Sequence, residues 1–205
     1  MSATGQWPVT LGWGPLALRP IRYRDRAEWD AVRARNAQWL GPWEASNPEP
    51  GGTLPTFRQM VSALKAQARA GAGLPFLITE VRDHEPRLVG QLTVSSITHG
   101  SLMGATLGYW VDQGSAGRGI APTAVALATD HCFGPLGLHR MEINIRPENA
   151  PSLRVVEKLG FRDEGTRRAY LHIDGAWADH RTFALTADEV PGGLLRRWLT
   201  QGAVG

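Results

Sequence analysis

One domain of the α/β class is what this sequence predicts, and three features carry the expectation. Runs of β-formers at 76–81, 88–97 and 105–111 follow one another with only turn residues such as Asp83, Pro86 and Gly100 between them. A glycine turn after the third run opens into a helical stretch rich in Ala and Val, and strands and helices then alternate to about residue 185. The chain has 205 residues, enough for one self-sufficient core spanning 1–205.

From the N-terminus, Asp25 and Glu28 form a capping-box pattern, and Trp29, Val32, Asn36 and Trp39 recur at helical spacing, predicting a helix over 25–40. Residues 41–55 hold four prolines and three glycines and read as a loop. Thr56 with Gln59 repeats the capping logic, and Phe57, Met60, Val61, Leu64 and Ala68 form one apolar stripe ending at Gly71. The helix after the glycine turn tolerates Pro122 in its first turn and is closed by Gly134-Pro135. Met141, Ile143 and Ile145 alternate with Glu142, Asn144 and Arg146, a strand with one apolar and one polar face. Asn149 stands as N-cap before Pro151, with Leu153, Val156 and Leu159 as the stripe and Gly160 at C′. Strands at 166–173 and 177–185 are joined by Asp174-Gly175, and a last helix is expected around 194–199.

Composition narrows the function. With 42% hydrophobic and 20% charged residues, 24 Gly and 14 Pro, the chain resembles an ordinary turn-rich globular protein. No apolar stretch is long enough to span a bilayer, and 1–10 lacks the pattern of a secretion signal, so a cytoplasmic location without membrane partners is expected. The only cysteine, Cys132, excludes an internal disulfide and reads as a buried thiol, and no metal-binding spacing is visible. Net charge is +3, and Arg19, Arg22, Arg24, Arg26, Arg33 and Arg35 crowd the start. Asp25, Glu28 and Asp30 interleave with them, so a solvated helix face is expected rather than direct nucleic-acid binding.

The segment 109–121 carries the chemistry. A strand ending at Val111-Asp112 precedes Gly117-Arg118-Gly119-Ile120-Ala121 and a helix, which aims several backbone N–H groups at a common point suited to phosphate. Glycine supplies the dihedrals and the close approach, and Arg118 would add charge. The spacing lacks the Gly-Lys-Ser/Thr of a Walker loop and the third glycine of a dinucleotide fingerprint.

These residues resemble the GNAT acetyltransferases, whose signature is a strand, a Gln/Arg-x-x-Gly-x-Gly/Ala turn over the coenzyme A pyrophosphate, and a helix. The likeness extends to Arg140-Met141-Glu142, Pro147-Glu148-Asn149-Ala150-Pro151-Ser152, Glu157-Lys158-Leu159-Gly160-Phe161, Gly175 with Trp177, and Asp179-His180. Leu18-Arg19-Pro20 and the stretch from Asn36 through Trp39-Leu40 to Trp43-Glu44 complete a likeness to the RimJ/RimL branch over about 16–185, leaving 186–205 as a tail. Gly114 departs from the pattern, standing where many members carry Gln or Arg.

The resemblance implies a mixed, mostly antiparallel sheet of about seven strands with splayed central strands and flanking helices. Acetyl-CoA would lie between the strands of Tyr109 and Met141, its arm along Trp110 and Val111 and its phosphates on Ser115, Ala116, Gly117, Arg118, Gly119, Ile120 and Ala121. Asn149 would contact the arm and Ser152 would protonate the leaving thiolate, although each also has a plain role in starting a helix. The RimL-type glutamate position falls on Leu171, which leaves Glu142 and then Glu44 as candidate bases, with a salt-bridged Glu142 as the structural alternative. Tyr170 is a minor proton-donor candidate, and Trp39, Trp43 and Asn144 are candidate acceptor contacts. His172 and His180 read as structural or exposed.

The implied activity is acetyl transfer from acetyl-CoA, without a metal, to a protein N-terminal amine of the ribosomal-protein type by direct attack in a ternary complex. The alternatives are a small-molecule amine or antibiotic as acceptor, or a non-catalytic acyl-CoA-binding or ribosome-associated module. The resemblance implies a monomer or a homodimer.

Overall fold

β-Branched and aromatic runs pair mostly with their chain neighbours, and together they build one eight-stranded sheet. The computed structural model describes residues 7–49 and 55–202, so the expectations for 1–6, for 50–54 of the loop and for 203–205 of the tail lie outside it. The strands are β1 (Leu11–Trp13), β2 (Leu16–Pro20), β3 (Leu74–Arg82), β4 (Glu85–Thr98), β5 (Gly104–Val111), β6 (Arg140–Ile145), β7 (Arg162–Ile173) and β8 (Ala176–Thr186). Their spatial order is β1-β2-β3-β4-β5-β6-β8-β7, and only the β5–β6 pair is parallel. The sheet is mixed and mostly antiparallel, with one strand more than the resemblance implies. That extra strand is β1, whose three residues include Gly12 and are too few to show an alternation in sequence.

The first expected helix is broken. A 3-10 turn (Tyr23–Asp25) precedes α1 (Arg26–Arg35), and α2 (Ala37–Leu40) restarts after Asn36. Asp25 does not cap α1. Its carboxylate accepts from Arg19 at 2.8 and 3.0 Å and from the Arg22 N–H at 2.7 Å, closing the 3-10 turn instead. Glu28 accepts from the Leu88 N–H at 2.7 Å and so ties α1 to β4. α3 (Phe57–Arg69) follows its sequence signals: Thr56 Oγ1 accepts from the Gln59 N–H at 3.3 Å, and Gln59 Oε1 accepts from the Thr56 N–H at 2.9 Å.

α4 (Ile120–Phe133) lies in the crossover between β5 and β6 and is buried around most of its circumference, with alanines allowing close approach to the sheet. α5 (Ala150–Leu159) begins at the Asn149 cap and ends at Gly160, whose φ of +69° is the left-handed value expected at C′. α6 (Leu194–Gly202) runs beyond the expected 194–199, and its start is fixed by Asp130 of α4, which accepts from the N–H groups of Leu194 and Leu195 at 2.6 and 3.0 Å. The larger core cluster joins Leu18, Phe76, Leu92, Leu107, Met141 and Leu185 of the sheet to α4, α5 and α6. Full burial of such a side chain stabilises by about 1.5–3 kcal/mol. A smaller cluster, Ile21, Val32, Val61, Leu77 and Leu88, seats α1 and α3. Cys132 is fully buried in α4, and burial pushes its thiol up to about 12. No helix among the described residues is long and apolar enough to cross a membrane.

Candidate active site

The only parallel pairing in the sheet is also its shortest lateral contact at the centre. β5 and β6 are registered from Gly104↔Arg140 to Thr106↔Glu142, and beyond that β5 keeps only β4. The central strands are splayed there, leaving one edge of β5 free. The Asp112 N–H donates to Val89 O at 2.8 Å, so the alternation of an antiparallel pair turns the N–H and C=O of Val111 toward the open side. Trp39 Nε1 donates to that carbonyl at 3.2 Å, which leaves the Val111 N–H for a ligand. Trp110 is oriented the other way. It pairs with Gln91, and its carbonyl presses so closely on β4 that a Cβ on Gly90 would lie 2.4 Å from it. The backbone contact expected of Trp110 therefore falls to Val111, while the Trp110 indole lines the cavity under the Arg33 guanidinium, 5.4 Å from the ring centroid.

The glycine turn closes one end of a cavity of about 650 Å³. Gly117 and Gly119 sit at φ +77° and +79°, values that a side chain strains. Among the described residues the N–H groups of Gly117, Arg118 and Gly119 meet no protein acceptor. Those of Ile120 and Ala121 are the free donors of the first turn of α4, while Pro122 has none to leave unmet. Gly117, Gly119, Ile120 and Ala121 all face the cavity, making a concave set of donors at a helix start that fits a pyrophosphate.

One acidic side chain, Glu80 on β3, braces this turn through Arg118. Glu80 accepts from Arg118 at 2.7 and 3.0 Å and from Arg82 at 2.5 Å. Burial pushes the Glu80 carboxyl up, but the two guanidiniums outweigh it and hold the group below the usual range. Arg118 is thus committed away from the cavity, contrary to its expected phosphate role, because a bidentate ion pair is available on β3. Ser115 and Ala116 do line the cavity. The Ser115 hydroxyl, however, accepts from Arg82 at 2.7 Å and faces Asp112 at 3.5 Å.

At the other end of the trench, Asn149 Oδ1 accepts from the Ser152 N–H at 3.2 Å, fixing Ser152 in the first turn of α5 with its hydroxyl toward the cavity. Tyr109 lines the cavity with it. Burial raises its phenol above the ordinary range, and Ser152 is the one side chain that offsets this. The buried phenol oxygen itself makes no hydrogen bond. Its position was legible only as alternation on β5.

One wall of the cavity is aromatic. Trp39, Trp43 and Glu44 line the cavity, and Glu44 is ion-paired with Arg33, which also lies over Trp29. Arg154 and Lys158, one turn apart on α5, add cations that make no ion pair among the described residues. Their i,i+4 spacing was the signal in sequence.

The remaining candidates lie elsewhere. Glu142 accepts from Arg140 at 2.8 Å and Arg167 at 2.9 Å and is not part of the cavity lining, the salt-bridged arrangement rather than one facing the cavity. Tyr170 accepts from Arg167 at 3.2 Å and packs edge-on against His180, also outside the cavity. Asn144 Oδ1 accepts from Thr182 at 2.8 Å and is not part of the lining.

Residues 16–162 match the family model for the acetyltransferase (GNAT) domain. The [ribosomal protein uS5]-alanine N-acetyltransferase of Escherichia coli is 29% identical over 90% of this chain and 94% of its own length. Mycobacterium smegmatis RimJ, solved with CoA-disulfide, superposes with a TM-score of 0.86 at 42% identity, covering 96% of both chains. The ribosomal-protein-S5-alanine acetyltransferase of Vibrio fischeri gives 0.77 at 28% identity over 88% of this chain and 98% of that one.

Proposed function

We propose that this chain, which belongs to the GNAT acetyltransferase family and is an acetyl-CoA-dependent N-acetyltransferase, acetylates a protein N-terminal α-amine of the ribosomal-protein type. The observation that carries the site assignment is the row of unclaimed N–H groups from Gly117 to Ala121 at the head of the trench that holds Ser152. Full-length similarity to the uS5-alanine enzyme supports the choice of acceptor.

Acetyl-CoA supplies an activated acetyl thioester to this site. The glycine turn holds its pyrophosphate, Asn149 and the free edge of β5 hold its arm, and the Val111 N–H faces the carbonyl oxygen on which charge develops. Glu44 sits on the aromatic wall with Trp39 and Trp43, where it accepts a hydrogen bond from the incoming amine and takes its proton. As the new C–N bond forms and the C–S bond breaks, Ser152 delivers a proton to the departing sulfur, backed by Tyr109. Attack is direct. Cys132 is too buried and its thiol too weakly acidic to serve as a covalent relay.

The test is thiol release from acetyl-CoA with N-terminal peptides of ribosomal proteins and a set of small amines, for wild type and Ser152→Ala. Turnover confined to peptides supports the proposal. Turnover confined to small amines overturns the acceptor, and CoA binding without turnover on any acceptor overturns the catalytic reading.

A further inference from the structure

Asn36 is a poor residue for the middle of a helix, and α1 stops there. It is 1% exposed and every polar atom of its side chain is used. Nδ2 donates to Val32 O at 2.8 Å and to Asp112 Oδ1 at 2.6 Å, and Oδ1 accepts from the Gln113 N–H at 2.8 Å. Asp112 is in turn clamped by Arg35, with Nε at 3.1 Å and an Nη at 3.0 Å. Three residues on, Trp39 donates to Val111 O. The break between α1 and α2 is therefore stitched to three successive residues, 111, 112 and 113.

Those two segments lead to different parts of the cavity lining. From Asn36 the chain runs through Trp39 to Trp43 and Glu44 on the acceptor wall, and from Asp112 it runs into the Gly117–Gly119 turn. We infer that Asn36, acting through Asp112, is a positioning residue that couples the acceptor wall to the cofactor turn, so that filling the turn orders residues 37–45. This rests on the glycine turn being the coenzyme A site. It adds a residue that touches neither substrate. By linkage the coupling is reciprocal, so a formed acceptor wall also tightens the cofactor site.

The experiment uses the full chain and coenzyme A itself. Amide hydrogen exchange is followed with and without coenzyme A in wild type, Asn36→Leu, Arg35→Gln and the paired Asn36→Asp, Asp112→Asn exchange, with affinity measured by calorimetry. Coenzyme A should slow exchange at both 113–121 and 37–45 in wild type. In Asn36→Leu it should still protect the turn but lose at least half of its effect on 37–45. Arg35→Gln, at a half-exposed site outside the core, should show a smaller loss in the same place and serves if Asn36→Leu does not fold. The paired exchange, which keeps one donor and one acceptor facing each other, should restore part of the protection. With a peptide acceptor, Asn36→Leu should raise the acceptor KM more than it lowers kcat. Undiminished protection of 37–45 in both single variants overturns the inference alone. Failure of wild type to bind coenzyme A overturns the site reading and the inference together.

Discussion

Tyr109 and Ser152 line the same cavity, and Ser152 is the one side chain that eases ionisation of the Tyr109 phenol, whose buried oxygen makes no hydrogen bond. Two neutral O–H groups in series can pass a proton toward a leaving sulfur.

Ser152→Ala and Tyr109→Phe should each lower kcat by about tenfold, and the double variant should approach the 10²-fold or greater loss typical of a missing general acid. Steady-state thiol release at saturating acetyl-CoA reads this out. An unchanged kcat in the double variant removes both residues from the proton path.

The glycine turn should discriminate between backbone and side chain. Gly119→Val forces a β-branched residue to φ +79°, and coenzyme A affinity should fall more than tenfold. Arg118→Ala should leave affinity within about twofold, because its guanidinium is held by Glu80 rather than by phosphate. Calorimetric titration settles both, with circular dichroism as the check on folding. Equal losses would put the Arg118 side chain on the ligand.

Glu44→Gln should abolish the acidic limb of the kcat/KM profile, since the amide cannot accept the amine proton. Glu142→Gln should leave the profile unchanged and lower the melting temperature by a few degrees, because it releases Arg140 and Arg167. A preserved acidic limb in Glu44→Gln would assign the proton to water.

Alkaline stability follows from the buried thiol. The folded Cys132 thiol is pushed up to about 12, so above the unfolded thiol's value the unfolded state has lost a proton that the folded state keeps. Stability should therefore be intact below pH ~9 and decline above it, by about 1.4 kcal/mol per pH unit. Tyr109 has the same sign, entering about one unit higher. Urea unfolding between pH 8 and 11 should show a shallower decline for Cys132→Ala, and parallel curves would contradict the burial argument.

Local patterns were read well where they close on themselves. The Thr56–Gln59 box, the Asn149 cap, the Gly160 terminus and the Asp174-Gly175 hairpin depend on neighbours a few residues away, and each was legible. Asp25 was misread because its nearest competitor is Arg19 on β2, and the helix over 25–40 was misjudged because Asn36 prefers Asp112, 76 residues on, to helical continuity.

By itself, then, the sequence determined the α/β class, the glycine turn, the start of α5 at the Asn149 cap and, by resemblance, the family. Those features live in short-range hydrogen bonds and backbone dihedrals. Only the tertiary structure decided where the charges lie: Glu142 and Arg118 are held in ion pairs away from the cavity, Glu44, itself paired with Arg33, is carried to the cavity wall, and the Tyr109 phenol is left buried near Ser152. The partner of a long charged side chain is chosen among residues distant in sequence, and no local pattern records that choice.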